Sequence, residues 1–175
     1  MAKWTLDPMH SEIGFKVRHL VISNVSGKFT KFEGTVVADK EDFSDAKVSF
    51  SADVNSISTG AEQRDEHLKG PDFFDTANYP KLTFESTAIT SKGDSEFELT
   101  GDLTLHGVTK PVTLQVELGG VGPNNYGQTI AGFELTGKIN RKDFGLTWHA
   151  VTETGGVVVS DEVKLNISAE LVKEA

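Results

Sequence analysis

Phe97-Glu98-Leu99-Thr100-Gly101-Asp102-Leu103-Thr104-Leu105 is the stretch that decides the fold. Its apolar residues and its glycine take every second position, and charged or hydroxyl residues take the rest. That is the two-residue period of a strand with one buried face, not the 3.6-residue period of a helix. The alternation recurs on both sides. Downstream, Val112, Leu114, Val116 and Leu118 share a face, then Phe133, Leu135, Gly137 and Ile139, then Val163, Leu165, Ile167, Ala169 and Leu171. Upstream stand Ile13, Phe15 and Val17, then Val48, Phe50, Ala52 and Val54, then Leu82 and Phe84. A further strand is expected near 33–38, where Thr35-Val36-Val37 leaves the inward parity open.

About eight one-sided strands suit an antiparallel sheet. A sandwich would bury the apolar face against a second sheet. A barrel would remove the exposed edges and enclose room for a ligand, and is the preferred reading. One stretch breaks the rhythm. Thr59-Gly60-Ala61-Glu62 has the form of a capping box, so a short helix is expected over 63–69, stopped by Gly70-Pro71. Asp72-Phe73-Phe74-Asp75 then places two rings in an irregular segment closed by Tyr79-Pro80. Turns are expected at 91–94, 119–127 and 154–156. With no tandem repeat, residues 1–175 read as one domain.

Composition narrows the function. The chain has 175 residues, no cysteine and a formal net charge of −9. Disulfides, thiolate nucleophiles and cysteine metal sites are excluded together. Basic residues are scattered singly on an acidic chain, which argues against nucleic-acid binding. No apolar run approaches the roughly 18 residues of a membrane-spanning helix. The N-terminus lacks the charged and apolar regions of a signal peptide, so a cytoplasmic location is expected, or a periplasmic one had a leader been removed.

The histidines His10, His19, His67, His106 and His149 are the evident catalytic or metal candidates. None forms His-x-His or a His-Glu-x-x-His face, so no metal site is expected and hydrogen bonding at strand ends and turns is the expected role. Ser11, a histidine and Asp7 could compose a triad, but no Gly-x-Ser-x-Gly elbow supports one. No phosphate-cradling loop is present. Arg64-Asp65 and Arg141-Lys142-Asp143 read as local ion pairs, with an arginine also able to meet a ligand head group. Gly101 and Gly137 stand inside inward rows, where a glycine marks either a bend or an open channel.

Together these segments resemble the YceI-like, polyisoprenoid-binding family. The likeness rests on Trp4-x-Leu6-Asp7-Pro8-x-His10-Ser11, Phe15-x-Val17-x-His19-Leu20 and Gly27-x-Phe29. It continues through Ser56-Ile57-x-Thr59-Gly60, Arg64-Asp65-x-His67-Leu68, Asp72-Phe73-Phe74 and Tyr79-Pro80. Gly101-x-Leu103-Thr104-Leu105-His106-Gly107-Val108-Thr109-Lys110 and Ile139-Asn140-Arg141-x-Asp143-Phe144-Gly145 complete it.

The resemblance implies a single eight-stranded, antiparallel, lipocalin-like barrel, usually dimeric, holding a long isoprenoid, a quinone or a similar lipid along its axis. It implies no catalytic residue and no cofactor beyond such a lipid. On that expectation Phe15, Val17, Phe29, Phe50, Phe73, Phe74, Phe84, Gly101, Leu103, Leu105, Phe133, Leu135, Gly137 and Phe144 contact the ligand. His19, His67 and Arg141 are the candidates for its head group. Two rivals stand beside it: an enzyme acting on a bound isoprenoid or quinone, and a stress-related structural protein with a filled barrel.

Overall fold

The computed structural model describes residues 2–19, 23–146 and 159–174. In chain order the strands are β1 (Ala2–Leu6), β2 (Glu12–His19), β3 (Ser23–Phe29), β4 (Phe32–Ala38), β5 (Lys47–Asp53), β6 (Ile57–Ser58), β7 (Lys81–Gly93), β8 (Glu96–Leu105), β9 (Val108–Pro123), β10 (Thr129–Asn140) and β11 (Val159–Lys173). One helix, α1 (Glu62–Lys69), lies between β6 and β7.

Every pairing is antiparallel, and the register shows how the sheet closes. One edge of β11 bonds β10. Its other edge bonds β2 in its first part and β1 through Leu171, Val172 and Lys173. Thus β1 and β2 are two halves of one wall strand. Likewise β3 and β4 bond β2 and β1, and β6 and β5 bond β3 and β4. Counted with each interrupted strand once, the wall has eight strands in simple up-and-down order, the last bonded to the first. The expected closed eight-stranded barrel is the observed fold.

The interruptions have local causes. Pro8 cannot donate to a ladder, and the Asp7 carboxylate accepts the Met9 amide at 3.0 Å, turning the chain outward. β11 stitches the break: Glu170 accepts the Asp7 amide through its carbonyl and donates its own amide to Ser11 Oγ at 2.9 Å. Next door, Asp53 caps a 3-10 turn over Val54–Ser56. Ser56 Oγ accepts the amides of Thr30 and Lys31 at 3.1 and 3.0 Å, where β3 passes into β4.

The inward rows match the alternation, and β4 resolves its parity. Val36 and Ala38 are buried, and Gly34 faces Leu6 and Phe50. At the lower end, between β4 and β5, Phe43 is 3% exposed and holds a left-handed φ of 64°. Its ring stands 5.1 Å from both Trp4 and Phe133, sealing that end. At the upper end a 3-10 turn over Arg141–Phe144 folds onto the rim, burying Phe144 and Leu146.

The helix begins one residue earlier than the sequence suggests, and the capping box does not form. Ala61 occupies the N-cap with no side-chain bond. Thr59 instead donates its amide and its hydroxyl to Asp65 Oδ1, at 2.9 and 2.5 Å. The Asp65 carboxylate thus takes the Thr59 amide that Glu62 would have accepted, and the Thr59 hydroxyl donates to Asp65 instead of accepting the Glu62 amide. The turn expected at 154–156 lies outside the described residues.

Candidate ligand cavity

The inward rows enclose a cavity of about 410 Å³. Such a volume is in the range of small-molecule sites. Its lining is aliphatic and aromatic except for glycines and the polar residues Thr35, Ser49, Arg64, His67 and Arg141. Chemically this interior offers desolvation with a few polar groups, which suits an apolar chain carrying at most a small head group.

Of the residues expected at the ligand, Phe15, Val17, Phe29, Phe50, Phe73, Phe74, Phe84, Leu103, Leu105 and Leu135 line the cavity. Gly101, Phe133, Gly137 and Phe144 do not. Phe133 belongs to the lower seal with Phe43, and Phe144 to the buried upper turn. The two glycines do not open a channel. A Cβ at Gly101 would overlap the Phe84 ring and come within 2.6 Å of the Glu85 carbonyl oxygen. At Gly137 it would meet Leu114 Cδ2 at 2.6 Å. In each case a neighbouring side chain already fills the space the glycine leaves. Gly27 is the third of the kind, covered by the Phe15 ring opposite it.

The lining also takes in Val25, Leu68, Leu82, Ile139 and the row Val163, Leu165, Ile167 and Ala169. The β11 row was visible as an inward face; only its position on the closed ring makes it cavity wall. Arg64 joins the lining from α1, its Nε donating to Thr59 Oγ1 at 2.8 Å and its Nη2 to the Thr59 carbonyl at 2.7 Å. His67, one helical turn on, pairs with Asp72 at 3.3 Å and stands edge-on to Phe73. The side chain of His19 lies outside the described residues.

Arg141 is 3% exposed. It donates from Nε to the Ser160 carbonyl at 3.0 Å and from Nη1 to the Leu146 carbonyl at 2.5 Å, with Asp161 3.7 Å from Nη2. Burial lowers its pKa from the usual arginine value, and Asp161 opposes that shift. Its observed work is to tie the 3-10 turn to β11.

Among the described residues the histidines are dispersed. His106 bonds the Phe144 carbonyl at 3.1 Å and meets the Tyr79 ring, and His149 lies outside the described residues. His10 pairs with Asp7 at 2.8 Å. This bond holds Asp7 below the usual carboxylate range, against a smaller desolvation effect, and raises His10 above its usual value. Glu170 lies close by. Among the described residues Asp7, His10 and Glu170 bring donor atoms within 4.8 Å of one another, on the outer face at the β1–β2 break.

A closed meander of eight strands around an apolar cavity, with one helix inserted in its wall, is a lipocalin-like barrel. The comparisons are narrower: the YceI-like domain matches residues 4–171, and the chain belongs to that family. The UPF0312 protein SA2479 of Staphylococcus aureus (strain N315) is 40% identical over 171 residues, 97% of each chain. Among solved structures, BcnA of Burkholderia cenocepacia superposes with a TM-score of 0.82 at 25% identity, covering 94% of this chain and 98% of that one. A polyisoprenoid-binding domain from Saccharophagus degradans, implicated in plant cell wall breakdown, has a TM-score of 0.71 at 17% identity, with 98% of each chain covered. Among the described residues no helix is long and apolar enough to cross a membrane.

Proposed function

We propose that this protein binds a long apolar lipid, of the polyisoprenoid or isoprenoid-quinone kind, inside its barrel and carries or stores it without chemical change. The observation that carries the reading is the cavity of about 410 Å³, walled by strand rows with polar residues confined to a few places. The polyisoprenoid-binding neighbour of like fold adds to it.

The mechanism is desolvation. A buried methylene contributes about 0.8 kcal/mol relative to water, so a tail of tens of carbons would nominally exceed the roughly 20 kcal/mol ceiling of real complexes. Water is the wrong reference, because such a lipid otherwise sits in a membrane. The net transfer is small, which suits a protein that must also release its cargo. His67 and Arg141 remain head-group candidates, now with Arg64 beside them. The binding is read as non-catalytic because both arginines are engaged with backbone carbonyls instead of converging on one reacting point.

Organic extraction of the purified protein followed by mass spectrometry tests the reading. One isoprenoid-type lipid per chain is expected. Protein that yields none, and takes up none from vesicles containing polyprenol, would contradict it.

A further inference from the structure

We propose that cargo passes through the barrel wall at the seam between β6 and β7, and that α1 with the segment to residue 80 is the cover that opens. The inference rests on the barrel being a lipid site, and goes beyond it by assigning the route.

Among the described residues the wall opens at this seam; the β9–β10 ladder also stops, at Gln115–Thr136, where the 3-10 turn over Arg141–Phe144 packs against β9. β7 bonds β5 up to the pair Asp53–Lys81, and one more bond joins the Val54 amide to the Pro80 carbonyl at 2.9 Å. Above that point β6 bonds β3 on one side, and among the described residues no strand pairs with its other side. Here the chain leaves the wall at Thr59 and returns at Lys81. The lower end is sealed by Trp4, Phe43 and Phe133, and the rim above β9 to β11 by the buried turn ending in Phe144 and Leu146.

The cover is built to move as a unit. Within it, the Phe74 amide bonds the Leu68 carbonyl, Thr76 bonds Lys69, and Asp75 bonds Gly70. No residue of α1 is itself buried, so the apolar burial given up on opening is that of Phe73, with the partly buried Leu68 and Phe74. Leu68, Phe73 and Phe74 project into the cavity lining, and Phe74 meets Phe29 of the wall edge-on at 6.4 Å. At its start, Gly60 has a φ of 85° with open space around it, which suits a pivot. The Thr59–Asp65 bonds latch the helix to the strand end just before that pivot.

Asp65→Ala removes the acceptor of both latch bonds, whereas Asp65→Asn keeps an oxygen at Oδ1. Each variant and the wild type are loaded with a polyprenol bearing a terminal fluorophore, and its release to acceptor vesicles is timed. Asp65→Ala should release at least about tenfold faster at unchanged capacity, the effect of one charge-assisted hydrogen bond, and Asp65→Asn, which keeps an acceptor but loses the charge, should fall between it and wild type. Equal rates in folded Asp65→Ala and wild type overturn the cover. Wild type that takes up no probe overturns the lipid reading, and the cover with it. Hydrogen exchange on the wild type serves even where Asp65→Ala does not fold. Amides of residues 62–79 should exchange at least about a hundredfold faster than those of β8, by opening alone. Equal protection overturns the cover.

Discussion

The Phe84 ring of β7 occupies the space beside Gly101 of β8 where a Cβ would stand, so the two residues are packed as one unit across the wall. Phe84 is paired to Leu103, two residues from Gly101, which is the diagonal reach of a ring across an antiparallel pair. Gly101→Ala must therefore displace both a ring and a backbone carbonyl. It should cost about 1–3 kcal/mol, the range for overpacking a filled interior, read from urea unfolding. At Gly137 the nearest obstacle is the terminal methyl of Leu114, which can rotate. Gly137→Ala should cost clearly less. Equal stability of Gly101→Ala and wild type would show that Phe84 is free to move away.

The same relationship explains what the sequence showed and what it hid. The long rows of β8, β9, β10 and β11 were legible because every second residue is apolar. The strand β3 was not, since Ser23-Asn24-Val25-Ser26-Gly27-Lys28-Phe29 is polar-rich and its inward row is broken by the glycine that Phe15 covers. The three split wall strands were hidden too, because only pairing with a non-adjacent strand shows that β1 and β2 are collinear. Of the cavity phenylalanines, Phe15, Phe50 and Phe84 were legible from alternation, whereas Phe29, Phe73 and Phe74 stand outside the rows it shows. Phe133 was not separable from the strand residues among them, since an inward residue at a sealed end and one beside a void have the same pattern, and Phe144 lies in a 3-10 turn that alternation does not describe.

The Asp7–His10 pair gives a pH dependence with a definite sign. His10 is raised, so its contribution is complete below its unfolded pKa near 6.5 and is lost as pH rises through the higher folded value. Asp7 is lowered, so its contribution is present above the ordinary carboxylate value and lost as pH falls through the lower folded one. The pair therefore stabilises between about pH 4 and 6.5. His10→Gln should lower the melting temperature at pH 5.5 and have less effect at pH 8.5, with the difference reduced by salt. An identical effect at both values would assign His10 a role unrelated to its charge.

Arg141 should behave first as a structural cation. Arg141→Met leaves the carbonyls of Leu146 and Ser160 without their donors, at about 1–3 kcal/mol for each that stays buried. Arg141→Lys should recover only part, because one ammonium cannot reproduce the forked geometry. Unfolding in urea and lipid retention are measured together. Full stability of Arg141→Met with lost retention would instead make the residue a head-group contact.

We propose a homodimer by analogy with the family, and light scattering at micromolar concentration should then give twice the 19.0 kDa chain mass. A mass of one chain across that range would refute the dimer while leaving the barrel and its cavity untouched.

The most direct test of the account locates the lipid inside the protein. Methyl-labelled protein is loaded with unlabelled polyprenol, and nuclear Overhauser contacts between the two are recorded. The account predicts contacts to the methyls of Leu103, Leu135, Ile139 and Leu165, from strands β8, β10 and β11 of the cavity wall. It also predicts none to Val121 on the outer hairpin, which is 51% exposed. A lipid that contacts Val121 or other surface methyls, and none of the four in the lining, would contradict the claim that the barrel interior is the binding site.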